Sequence, residues 1–299
     1  MPPASITPER VLQHLDLRVI RRLDGLLPGD YRTLFYGPGV DFADLREYQP
    51  GDDVRHIDWN VTARMTTPYV RQYLAERELT AWLLLDRSAS MGFGATERTK
   101  GHVLTDLVAT LARLLTRGGN RVGAILYENA VEQIMEPRSG RNQVLRITRE
   151  LLRPAAASGM ETDLTGLVRT AASVIRRRSL VFVISDFISG PGWERGLALL
   201  AQRHEVVAIR VWDPREVELP DIGVVVMQDS ETGAQMFVDT SDPRFRRRFR
   251  AAADEREERL RVGLQHAGLD LFALSTNEDL VRALMRLLLV RKQRRAVHR

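Results

Sequence analysis

The stretch LTAWLLLDRSAS, residues 79–90, decides the reading of the fold. Its first part is apolar with no inside–outside alternation, as a strand is when helices cover both faces of its sheet. It closes on Asp86, and Ser88 and Ser90 follow at once, so a carboxylate and two hydroxyls leave the end of one buried strand together. SLVFVISD at 179–186 has the same design and ends on Ser185 and Asp186. Residues 121–127, EVVAIRVWD at 205–213 and LFALST at 271–276 read as further strands. Between them, apolar residues at helical spacing predict helices over 99–116, 141–153, 163–177, 192–202, 243–267 and 277–291. VVVMQD and AQMFVDT flank Glu231-Thr232-Gly233 and predict a hairpin. Buried strands alternating with helices predict an α/β fold, a doubly wound, Rossmann-like open sheet with helices on both faces. In such sheets ligands bind beyond the carboxyl ends of the strands.

Working outward, Val11, Leu12, Leu15, Val19, Ile20 and Leu23 predict a helix over 9–27, started near Pro8 and stopped by Pro28-Gly29. Residues 31–80 are dense in Gly, Pro, Asp and aromatics and read as a small irregular or β-rich module. The expected organisation is an N-terminal helix (1–30), this module (31–78), the α/β domain (79–291) with a hairpin insertion near 223–240, and a basic tail (292–299).

The 299 residues are 44% hydrophobic and contain no cysteine, which excludes disulfides, thiolate metal sites and cysteine nucleophiles. No signal peptide or membrane-spanning stretch is legible, so a cytoplasmic location is expected. The net charge of +5 is concentrated at the end of the chain, where residues 241–299 carry 15 basic and 8 acidic side chains. Arg291, Lys292, Arg294, Arg295 and Arg299 read as a solvated terminus or, alternatively, as a nucleic-acid contact. Only Lys100 and Lys292 among the 44 basic residues are lysine.

Thr162 and Asp163 stand before the 163–177 helix, and a doubly wound sheet can bring Asp86, Ser88, Ser90, Thr162 and Asp186 to one crevice. Hydroxyls and carboxylates are hard ligands suited to Mg²⁺, with Mn²⁺ or Ca²⁺ as alternatives. Three neutral hydroxyls leave such an ion under-neutralised and attractive to an outside Asp or Glu. The plainer reading is that these residues cap helices. A third reading makes Asp86 the nucleophile of a Mg²⁺-dependent phosphatase. Ser88 stands where that chemistry usually has a second aspartate, and the one lysine before Asp186, Lys100, does not stand at a plausible interval. No Gly-x-Ser-x-Gly or Gly-Lys-Ser/Thr loop occurs, and the six histidines form no ligand cluster, so serine hydrolysis, ATP hydrolysis and zinc chemistry find no support.

Asp86-Arg87-Ser88-Ala89-Ser90, with Thr162 and Asp186, resembles the metal-ion-dependent adhesion site of von Willebrand factor A domains. The resemblance implies direct metal contact by the serines and the threonine, with the aspartates often acting through water. The turn before the threonine departs from the usual glycine-rich pattern at Glu161. The segment GPGVDFADLREYQPGDDVRHIDWNVTARMTTPYVRQYLAER at 37–77 resembles the signature of the DUF58 family. SDF at 185–187, RHEVVAIRVWDPRE at 203–216 and LPDIGVVVMQDSETGA at 219–234 fit the same family. Membership implies a von Willebrand factor A-like domain and a MoxR-type AAA+ ATPase as partner, with a role in assembling or activating a client. Within the signature, Arg46, Arg55 and Arg64 interleave with acidic residues including Asp58. They form either an internal ion-pair network or, with Trp59, Arg87 and Glu161, a partner-binding surface.

Overall fold

The computed structural model describes residues 7–26, 44–50, 52–54, 57–65, 67–72, 79–94, 98–154, 162–229 and 233–297. Six strands form the central sheet: β3 (Thr80–Asp86), β4 (Arg121–Tyr127), β5 (Val131–Arg138), β6 (Leu180–Ser185), β7 (Glu205–Trp212) and β10 (Leu271–Ser275). Their order is β10-β7-β6-β3-β4-β5, parallel except for β5, which runs antiparallel to β4. The predicted α/β sheet with helices on both faces is therefore present, as a mixed sheet. β5 is an addition that no apolar run announced. Only Met135 on it is buried, and Pro137 and several charges suit an edge strand rather than a central one.

Side chains on successive strand residues enter opposite layers. Ala81, Leu83 and Leu85 of β3 join Phe182 and Ile184 of β6 under α4 (Lys100–Arg117), α5 (Arg141–Leu151) and α9 (Leu280–Val297). Trp82 and Leu84 join Val181 and Val183 under α6 (Leu164–Val174), α7 (Trp193–Arg203) and α8 (Pro243–His266). The helical start of the chain comprises α1 (Pro8–Leu15), a π-helical turn (Asp16–Ile20) and α2 (Arg21–Leu26). It buries Leu12, Leu15, Val19, Ile20 and Leu23 in the first of these layers. Arg113 reaches Asp16 at 3.3 Å and Arg117 reaches Asp24 at 2.8 Å across the same contact.

Within the signature segment, β1 (Asp44–Glu47) pairs antiparallel with β2 (Tyr69–Gln72), and α3 (Trp59–Thr62) lies between them in sequence. The hairpin appears as β8 (Val224–Gln228) paired with β9 (Gln235–Asp239). At the basic end the helix expected over 277–291 runs further. α9 continues to Val297, and Arg291 is buried with Nη2 2.5 Å from Glu205 Oε1, so this arginine is not a solvated charge. On α8 and its neighbours Arg210, Arg246, Arg250 and Arg261 form ion pairs within the chain. Among the described residues no helix is long and apolar enough to cross a membrane.

Candidate functional site

β3 and β6 are neighbours, yet from β3 the chain winds outward to β4 and β5 before returning to β6 on the other side. The crevice at their carboxyl ends is thus a topological switch point, where an open α/β sheet has room for a ligand. Leu85 lies opposite Ile184, which sets Asp86 beside Ser185. Ser185 Oγ donates to Asp86 Oδ2 at 2.5 Å and accepts the Phe187 N–H at 2.8 Å. Asp86 Oδ1 accepts the Ser88 N–H at 2.9 Å, which turns the chain and aims both serines inward. Phe187 takes a left-handed φ of 58° and its ring rests 5.3 Å from Trp193, a strained turn held by packing directly after Asp186.

From here a polar chain runs across the crevice. Ser90 Oγ donates to Asp186 Oδ2 at 2.7 Å, and Ser88 and Ser90 hydroxyls are 2.9 Å apart. Since Ser90 donates its one O–H to Asp186, Ser88 is the donor between the two hydroxyls. Four of the five predicted ligands, Asp86, Ser88, Ser90 and Asp186, therefore form one connected, buried cluster. Thr162, also buried, is tied to the same loop through Ser189, whose Oγ donates to the Thr162 carbonyl at 2.8 Å and accepts the Leu164 N–H at 3.1 Å.

The sequence reading passed over a cation in the same cluster. Lys100, fully buried, places Nζ 2.6 Å from Asp186 Oδ2, the oxygen that Ser90 also uses, and donates to Glu216 Oε1. The sequence interval that seemed to remove Lys100 from this site is overridden by the backbone bond from Lys100 N–H to Phe93 O, which folds α4 back onto the serine loop. Glu216 is oriented by the Asp-Pro-Arg-Glu turn after β7. Its other oxygen accepts the Asp213 N–H at 3.1 Å, and Asp213 Oδ1 accepts the Arg215 N–H. The signals that remained in the sequence were the scarcity of lysine and the DPRE motif.

Charge in the cluster is unbalanced. Asp186 and Glu216 share the ammonium of Lys100, and Asp86 adds a third carboxyl, buried and held by Ser185 and the Ser88 N–H. Burial, and then the charge of Asp186, push the Asp86 carboxyl up to about 7. For Lys100, burial favours the neutral form, but Asp186 and Glu216 outweigh it and raise its pKa above the ordinary value. Hard oxygens around a surplus of buried negative charge fit a divalent ion. Among the described residues no group of three His, Cys, Asp or Glu side chains forms a metal site, so any ion here depends on the hydroxyls. A cavity of about 280 Å³ bordered by Asp186, Phe187, Trp193, Arg210 and Glu216 gives access to the Asp186 side.

The remaining candidates separate. Arg87 Nη1 meets Glu132 at 2.6 Å and Nη2 the Arg153 carbonyl at 2.5 Å, a strut from the site to the edge of the sheet. Asp58 caps α3 by accepting the Asn60 and Val61 N–H groups, while Trp59 is 68% exposed and Arg64 is exposed. Arg46 lies in β1 opposite Val70. Arg55 and Glu161 lie outside the described residues.

The chain is 40% identical over 284 residues to Uncharacterized protein Rv1480 of Mycobacterium tuberculosis, covering 94% of this chain and 89% of that protein. A second relative, Uncharacterized protein MAV169 of Mycobacterium avium, is 38% identical over 158 residues, 52% of this chain and 92% of that protein. Among solved structures, the conserved hypothetical protein BatB from Bacteroides thetaiotaomicron aligns with a TM-score of 0.45 and 13% identity over 72% of this chain and 99% of that one. That likeness is too faint to add to the topology above. Residues 44–259, from β1 into α8, match the family described as "Protein of unknown function DUF58", and the chain belongs to that family.

Proposed function

We propose that the protein is a non-enzymatic binding module of von Willebrand factor A type. In this reading Ser88, Ser90 and Thr162, with Asp86 and Asp186, hold Mg²⁺, and the site captures an Asp or Glu of a partner. The observation that carries it is the continuous path from Ser88 through Ser90 to Asp186 at the β3/β6 switch point. When bound, the ion would supply a coordination position for a partner's carboxylate oxygen. Asp86 contributes charge from behind the hydroxyls, and Ser185 keeps its carboxylate from swinging away. Arg87 braces the serine loop against β5.

The family resemblance makes a MoxR-type AAA+ ATPase the proposed partner, with the acidic group on that ATPase or on a client it delivers, in the cytoplasm. The phosphatase alternative asks Asp86 to attack a phosphate. Its two oxygens accept hydrogen bonds and its side chain is wholly buried, so this geometry favours binding over covalent chemistry. The nucleic-acid alternative is weakened by the internal ion pairs of α8.

The test is capture of partners from native lysate by the full chain with Mg²⁺ and with a chelator, then calorimetry on the purified pair. Capture that depends on Mg²⁺ and is lost in Ser88→Ala is expected. Equal capture after chelation, with the fold intact, rejects the metal bridge.

A further inference from the structure

We propose that Lys100 is a resident cation competing for Asp186, so that the Lys100–Glu216 pair sets how tightly the site holds a divalent ion. The inference rests on the metal-site reading above but concerns residues outside its ligand set.

Lys100 occupies a position that elementary energetics disfavours. It is the first residue of α4, where the positive end of the helix repels a cation. It is fully buried, where an ammonium without carboxylate partners is costly. It is also one of two lysines in a chain that otherwise uses arginine. A compact ammonium suits the place better than a planar guanidinium, because it approaches a single carboxylate oxygen as a point charge.

The contacts indicate what the cation does. Asp186 Oδ2 accepts from Ser90 Oγ and from Lys100 Nζ. Its other oxygen, Oδ1, accepts the Ile188 N–H at 2.9 Å and is tied to the backbone. The oxygen that faces the serine hydroxyls is therefore the one Lys100 holds. A divalent ion that draws on this oxygen must compete with the ammonium and bear its repulsion at short range. Glu216 is the alternative seat. The capping turn Asp213–Glu216 fixes it against Lys100, so the ammonium retains a carboxylate when Asp186 turns to a metal. Metal occupancy then becomes conditional, favoured when a partner's carboxylate adds its charge to the site.

The test is calorimetric titration of the full chain with Mn²⁺, alongside melting temperatures with and without the ion. Lys100→Met is expected to bind Mn²⁺ at least about tenfold more tightly than the wild type, and its melting temperature should rise more on adding Mn²⁺. Glu216→Gln, which leaves Lys100 only Asp186, is expected to bind about tenfold more weakly. Should Lys100→Met fail to fold, the double variant Lys100→Met/Glu216→Gln removes the ion pair as a unit and is expected to bind more tightly than Glu216→Gln alone. Unchanged or weaker binding on removing Lys100, where the wild type binds, overturns the competition and leaves the metal site standing. Binding by the Lys100 variant but not the wild type supports the competition, with the wild type taking the ion only when a partner's carboxylate is present. Binding by neither overturns both.

Discussion

Replacing Asp86 with Asn separates the cost of the site from its use. Asp86 is fully buried, and burial together with the charge of Asp186 raises its pKa from 3.8 to about 7. A carboxyl with a raised native pKa binds its proton more tightly when folded. The resulting stability is complete below the unfolded value, drains as pH rises, and is gone above the folded value. At about pH 8 the ionised carboxylate thus costs the metal-free fold on the order of 4 kcal/mol. Asparagine removes that charge but cannot satisfy both Ser185 Oγ and the Ser88 N–H as acceptors, a loss of about 1 kcal/mol. Asp86→Asn should therefore be about neutral near pH 5 and stabilising by about 3 kcal/mol near pH 8 when a chelator is present. Excess Mg²⁺ should reverse the order, because only the wild type gains from binding the ion. Denaturant unfolding of both proteins at the two pH values, with and without Mg²⁺, measures all four terms. An Asn penalty of the same size at both pH values in chelator would refute the reasoning, since it would mean that Asp86 ionises without strain.

Gly166→Ala should destabilise the protein although alanine ordinarily strengthens a helix by about 1 kcal/mol. An added Cβ would lie 2.1 Å from Tyr127 Oη and 3.0 Å from its ring, so a lowered melting temperature is expected, with recovery in Gly166→Ala/Tyr127→Phe. Trp59→Ala should leave stability within about 0.5 kcal/mol, given its exposure. If α3 contributes to the recognition surface, the same variant should weaken partner capture, which a pull-down against the wild type reads directly.

Much of the site was legible one residue type at a time. Asp86 and Asp186 end buried strands, and that placement follows from local pattern, because unbroken apolar runs stop where the chain meets solvent. Ser185 and Ser189 were harder to value. Serines near strand ends are common, and their work here consists of hydrogen bonds to Asp86 and to the Thr162 carbonyl, residues far away in sequence. β5 escaped because an edge strand buries little and so carries no apolar run. Arg291 looked like part of a solvated tail because composition does not reveal that Glu205 stands opposite it.

By itself the amino-acid sequence determined the class of fold, the strand ends that carry carboxylates and hydroxyls, and the family signature, since hydrophobic period and motif spacing are local properties. Only the tertiary structure decided that Lys100 and Glu216 belong to the same cluster as Asp186. Pairing of that kind depends on where β6, β7 and the start of α4 converge, and the electrostatic balance of a buried site is a sum over neighbours in space, whatever their distance along the chain.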